Sequence, residues 1–321
     1  MGLERQGTDS PEDFAARLGA MGLSGHGATV MLATEQCTLL QIAAPAVPPE
    51  ELRAASKFLI RDMVDLHIDD LTLDVLHVGD GQEKSAGQLF VVTAPNAAIQ
   101  GVMALAGQMQ WPVSVIDIQE MGQRNLQSTL AARQGLADRA TAALMVVNDH
   151  QALLTVSAKG ELYYSRRLDL PEGFLAMTWG QEAEVFGESD GAPTPVAEYA
   201  PVSDYAPVGE YIPDYAGGLG ADSGAATAAA ADPTQRFVVE LQRSMDLWDR
   251  TWTQLPMASL SVYAGVRTLD LAILLTQELG QVVEAMDVEG LFPALAGVGP
   301  QEKLACAPLL GVLLRDGVSG S

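Results

Sequence analysis

The chain has 321 residues, of which 48% are apolar and only 6% aromatic, and its formal net charge is −23. That length admits two domains, or one large domain with an insertion, and the apolar content is ample for a core. The charge argues against nucleic acid as a partner, because phosphate recognition runs on Lys and Arg, and equally against an anionic membrane surface.

Ser10-Pro11-Glu12-Asp13 reads as an N-cap, a first-turn proline and acids at the positive end of a helix dipole. The helix after it sets Phe14, Leu18 and Met21 on one side. Segments 28–33 and 37–43 are short apolar strands around a Thr34-Glu35-Gln36 turn. Pro48-Pro49-Glu50-Glu51 opens a helix over 49–65, with Leu52, Ala55, Leu59, Ile60 and Met63 at helical spacing. Strands come next at 71–78 and 88–93, then a helix from Pro95 to Met109 and a strand at 113–118. Residues 37–118 therefore spell β-α-β-β-α-β, the order of a ferredoxin-like unit, a packing solution shared by many functions.

Residues 120–133 read as a helix broken by Gly135. Within 142–170, AALMVV, ALLTVS and ELYYSRRLDL are three strands of a meander. Its first turn is Asn148-Asp149-His150-Gln151. Two strands joined by a tight turn can aim backbone N–H groups at a phosphate when the turn holds a glycine, and this one holds none. From 181 to 235 there is no Lys or Arg but ten Asp or Glu, around the repeat EYAPVS, DYAPVG, EYIPDY. This composition predicts an extended, solvated linker, with Tyr-Pro docking units as the alternative. Asp232-Pro233 restarts a helix whose stripe is Phe237, Val238, Leu241, Met245, Trp248 and Trp252. A strand at 258–263, a helix at 269–279, a strand at 282–286 and an apolar helix over 301–314 complete the chain.

Signals for chemistry are sparse. His26, His67, His77 and His150 lack metal-ligand spacing, and His67 beside Asp65, Asp69 and Asp70 reads as a solvated loop before a weak metal site. There is no G-x-S-x-G and no C-x-x-C, so no catalytic residue is assigned. Cys37 and Cys306 are expected to be buried thiols. No signal-peptide pattern opens the chain, and its longest near-apolar run, 304–314, is about half of what a bilayer needs. The expectation is a soluble, cytoplasmic chain without direct membrane insertion. Arg166-Arg167 are expected in a surface ion pair, or against the acidic insert or a partner carboxylate.

Several segments together resemble one family. These are ELRAASKFLIRDMVDLHIDDLTLDVLHV (51–78), LFVVTAPNAAIQGVMALAGQMQWPVSVID (89–117), IDIQEMGQRNL (116–126), LLTVSAKGELYYSRRLDL (153–170) and VVELQRSMDLWDRTW (238–252). In order and spacing they are similar to the actin-like pilus assembly proteins, the PilM type of type IV pili and, more so, the MshI type of the MSHA pilus. The resemblance implies an α/β, actin-like (ribonuclease H-like, ASKHA) fold with an inserted ferredoxin-like β-α-β-β-α-β subdomain. Its boundaries would be a truncated first domain at 1–36, the subdomain at 37–118, a connecting helix at 119–141, the second domain at 142–180 and 233–316, the insert at 181–232 and a tail at 317–321.

The resemblance further implies a cytoplasmic protein peripheral to the inner membrane, docked to the N-terminal tail of a single-span inner-membrane pilus protein. PilM-type members bind ATP between two glycine-containing hairpins. The first hairpin has no counterpart in 1–27, and the second has Asn148, Asp149 and His150 where D-x-G is expected. Glu240 and Arg243 match the family's helix motif, but pairs with Arg236 and Asp246 on the helix surface account for both. Ala264 and Gly265 retain one glycine of the adenosine loop. These seven residues are read as remnants of a nucleotide site, with no cofactor expected and ATP with magnesium as the alternative. The partner groove would use Leu39, Leu40 and Ile42 on a strand and Phe58 and Leu59 on a helix, against core packing within the subdomain. The functional expectation is a non-catalytic scaffold. The alternatives are an ATP-binding assembly ATPase with an N-terminally truncated chain, or the cytoplasmic part of a type II secretion L-type protein, which would need a transmembrane helix.

Overall fold

The computed structural model of the protein describes residue 4 and residues 6–81, 87–179 and 233–315. The Tyr/Pro insert, the Asp232 cap and the 317–321 tail fall outside the described residues. The chain divides into a unit of 1–177 with 232–321, which carries every described strand and helix, and a second unit of 178–231.

Helix α1 (Pro11–Ala20) starts at the proline expected from the sequence, with Ser10 Oγ accepting from the Asp13 N–H at 3.1 Å. Phe14, Ala15 and Leu18 pack with Met109 and Trp111, while Met21 is exposed. Strand β1 (Ala28–Leu32) and strand β2 (Thr38–Ala43) flank a 3-10 turn at Thr34–Gln36, then diverge. Helix α2 (Leu52–Leu59), strands β3 (Leu71–His77) and β4 (Gln88–Pro95), helix α3 (Asn96–Met109) and strand β5 (Val113–Ile118) come in the expected order.

Two expectations for this region change. The helix expected over 49–65 is a 3-10 turn at Pro49–Glu51 leading into α2, which ends before Ile60. Ile60, Val64 and Ile68 pack onto one face of the sheet with Leu73 and Val91, so the chain folds back over the sheet after α2 instead of running past its edge. The four strands of the β-α-β-β-α-β run also do not share a sheet. Strands β2, β4 and β3 form an antiparallel sheet in that order, while β5 pairs in parallel with β1. The reason is packing: Ile116 and Ile118 of β5 join Leu32 of β1 over a core that also takes Leu39, Val92 and Ala94.

Helix α4 (Gln119–Arg133) leads into the meander of strands β6 (Ala140–Asn148), β7 (Gln151–Ala158) and β8 (Glu161–Asp169). Helix α5 (Pro233–Thr251), strand β9 (Met257–Tyr263), helix α6 (Thr268–Leu279), strand β10 (Val283–Ala285), the short α7 (Val288–Leu291) and α8 (Pro300–Leu310) complete the chain. The second of the two larger sheets has the order β10-β9-β6-β7-β8: a three-stranded antiparallel meander extended by two parallel strands. Within the one compact unit, the part from α1 to β5 is called the first half and the part from β6 onward the second, with α4 between them. The α5 stripe is as expected, with Phe237, Val238, Leu241, Met245 and Trp248 buried. Both cysteines are buried thiols, neither in a disulfide.

Candidate functional site: the join between the two halves

The residues read as nucleotide-site remnants fall into three groups, each with its own bonds. At the β6–β7 turn, Asn148 Oδ1 accepts from the His150 N–H at 2.9 Å, so an amide that could face an anion is already used. No residue of that turn is in the left-handed region, which among non-glycines holds Gln110 and Lys159 in the described chain. Asp149 and His150 are exposed. Asn148 Nδ2 lies 3.3 Å from Glu35 Oε1, on the turn between β1 and β2.

On α5, the sequence pairs Glu240 with Arg236 and Arg243 with Asp246. Glu240 instead pairs with Arg166 of β8 and, at 2.6 Å, with Arg243. Arg166 also donates to Ser244 Oγ at 2.9 Å, and Asp246 accepts from Gln242. The sheet supplies the partner, because α5 lies along β8 and brings Glu240 against Arg166. At the third group, Ala264 donates its N–H to Thr268 Oγ1 at 3.0 Å. Gly265 has φ +57°, and a methyl there would meet Leu304 Cβ at 3.2 Å, so α8 covers this loop. The neighbouring Tyr263 hydroxyl is pushed up to about 12 by burial, with Glu289 and Cys306 adding to it.

Arg167, which the sequence marks with Arg166 for an ion pair, has partners that the sequence does not point to. Arg167 of β8 reaches out of the second half. Its Nη1 donates to the carbonyls of Thr34 at 2.6 Å and Cys37 at 3.2 Å, both in the first half. Its Nε and Nη2 donate to Glu120 Oε1 at 3.1 and 2.8 Å. Glu120, at the start of α4, is 1% exposed. Burial works against the charge of Arg167, yet the Glu120 carboxylate holds its pKa above the ordinary value. The surface ion pair expected for this residue is therefore a partly buried one, because α4 lays a carboxylate across the join. Burial pushes the adjoining Cys37 thiol up, with Glu120 adding to it.

Helix α4 crosses the second sheet with polar residues facing it. Gln123 Nε2 donates to the carbonyls of Ala143 and Leu153, each at 2.9 Å, and Thr155 Oγ1 donates to Gln127 Oε1 at 2.9 Å. Gln119, Gln123 and Gln127 stand at i, i+4 and i+8, a spacing visible in the sequence as one polar face on a helix that is mostly buried. Asn125 Nδ2 donates to the Gly311 carbonyl at 3.1 Å, and a methyl on Gly311 would overlap the Gly122 carbonyl.

The partner-groove residues separate. Leu39 packs into two cores, and Leu40 and Ile42 pack under Ile60, so these three are half-buried structural residues. Phe58 and Leu59 are 72% and 48% exposed, with the Arg61 guanidinium 5.5 Å over the Phe58 ring. The outer edge of β2 has no strand neighbour among the described residues. At the histidine loop, His67 Nδ1 accepts from the Asp69 N–H at 3.3 Å and Asp69 is paired with Lys57 at 2.8 Å, the Lys57 bond holding its carboxyl below the usual range. Among the described residues no three His, Cys, Asp or Glu side chains are grouped to hold a metal, and no helix is long and apolar enough to cross a membrane.

No protein-family model and no curated protein matches this chain. Solved structures do. The PilM–PilN type IV pilus biogenesis complex is similar over 99% of this chain and 88% of the matched one, with TM-score 0.58 and 18% identity. The cytoplasmic domain of EpsL, an inner-membrane component of the type II secretion system of Vibrio cholerae, is similar over 49% of this chain and 56% of its own, with TM-score 0.34 and 13% identity. A Bacteroides thetaiotaomicron protein with an actin-like ATPase fold matches over 81% of this chain and 68% of its own, with TM-score 0.38 and 10% identity. The protein has an actin-like α/β fold.

Proposed function

We propose that the chain is a docking scaffold of a type IV pilus machine of the MSHA class, cytoplasmic and peripheral to the inner membrane, that works without nucleotide hydrolysis. Its partner is the cytoplasmic N-terminal tail of a single-span inner-membrane protein, as the pairing of PilM with PilN suggests by analogy of fold. The observation that carries this reading is the outer edge of β2, which has no strand neighbour among the described residues. An extended tail can add there as a further strand through its backbone, and an edge strand without a neighbour is a template for such addition. Exposed Phe58 and Leu59 on α2 supply apolar surface for such a tail. The glycine-free turn at Asn148–Gln151 and the covering of Gly265 by Leu304 support a role without nucleotide.

Two titrations test the proposal. A synthetic N-terminal peptide of a PilN-type protein should bind, and Phe58→Ser should weaken it about tenfold, roughly 1.4 kcal/mol, with thermal stability unchanged. Calorimetry with ATP and magnesium should show no heat at micromolar concentration. Micromolar ATP binding would overturn the nucleotide-free reading, and peptide binding indifferent to Phe58 would overturn the assigned surface.

A further inference from the structure

We infer that Arg167 is an internal latch that holds the first half against the second. One planar guanidinium reaches three elements. It comes from β8, it closes on the Thr34 and Cys37 carbonyls of the β1–β2 turn, and it is seated on Glu120 at the start of α4. Four donor contacts from one fork fix distance and orientation together, which a lysine cannot reproduce. The carboxylate beneath it is 1% exposed, so the pair opens only by leaving a buried charge without its partner.

Two further attachments act in the same sense. Glu35 of the same turn meets Asn148 at the tip of the β6–β7 hairpin. Near the start of β8, the Gly79 N–H donates to the Leu162 carbonyl at 2.6 Å, and Gly79 lies so close to the Tyr163 ring that a methyl there would overlap it. Tyr163 is boxed edge-on by Trp248 and Trp252, with ring centroids 6.2 and 5.2 Å away. Val78, Phe90 and Leu162 then share one core with Leu39, Leu76, Met121 and Trp252, so apolar packing is continuous from the three-stranded sheet into the second half. With contacts near both ends of β8, the two halves keep one arrangement, and Arg167 is its positioning residue.

This inference goes beyond the docking reading, and its test involves no partner peptide. Hydrogen exchange is measured on the full chain, with and without magnesium ATP, for wild type, Arg167→Ala and Arg167→Lys. The wild-type amides of 34–38 should exchange slowly and be indifferent to ATP. Arg167→Ala should speed them at least tenfold while the β6 amides, as a fold control, stay protected. Millimolar methylguanidinium should restore much of the protection. Arg167→Lys should fall between, and it carries the test alone should the alanine variant fail to fold. Unchanged exchange at 34–38 in a folded variant, or wild-type amides that are fast until ATP slows them, would overturn the latch.

Discussion

Tyr263 ends β9 with its ring 6% exposed, between the second sheet and α8. Its hydroxyl ionises near 12 in the folded chain against 10.0 in the open one, chiefly because burial penalises the phenolate. The folded state thus holds its proton after the unfolded state has lost it. The contribution is whole below pH 10 and is lost as pH rises through about 12, a fall of roughly 3 kcal/mol. Urea unfolding of wild type and Tyr263→Phe across that range should show the phenylalanine variant losing less stability by about that amount. Equal slopes would remove the assignment. At this scale the sequence is informative about which residues are apolar and poor about partners. Glu240 has an arginine four residues before it, yet the bond that matters comes from Arg166, which is 74 residues earlier in the chain.

Helix α4 carries the join as an element. Its apolar content is low for a helix so buried, and the compensation is hydrogen bonding: Gln123 and Gln127 are 0% and 2% exposed and are bonded to β6 and β7. Gln123→Leu should cost about 1–3 kcal/mol in denaturant unfolding, the loss of a buried amide's bonds to carbonyls. Gln123→Glu should cost more, since its carboxylate would be buried facing two carbonyl oxygens. The reverse ranking would mean that the side-chain volume, and not the donor, is what α4 needs. The element order was legible because the periodicity of β1 to β10 is local. The pairing of β5 with β1 was not, because sheet membership is decided by which apolar face the strand shares, and Ile116 and Ile118 share theirs with Leu32.

At the scale of the molecule, the ends of the described chain that flank the insert meet: Thr234 Oγ1 lies 3.8 Å from Met177 Sδ. Deleting 188–231 therefore shortens a connection whose ends are already side by side, and loop length itself changes closure entropy by only about 0.6 kcal/mol per doubling. The deletion variant should express in soluble form with its melting temperature preserved, as calorimetry would show, and loss of folding would assign the insert a structural role. What the sequence determined by itself is the run of elements, the buried stripe of α5, the two thiols and the family of shapes to which 37–118 and 142–170 point. These depend on periodicity, capping and turn chemistry within a few residues of one another. Only the tertiary structure decided that β5 leaves the three-stranded sheet, that Leu39, Leu40 and Ile42 pack inside while Phe58 stays exposed, and that Arg167 bridges β8, α4 and the Thr34–Cys37 turn. A guanidinium's choice of acceptor depends on what burial brings within about 3 Å of it, and that proximity is created by the fold.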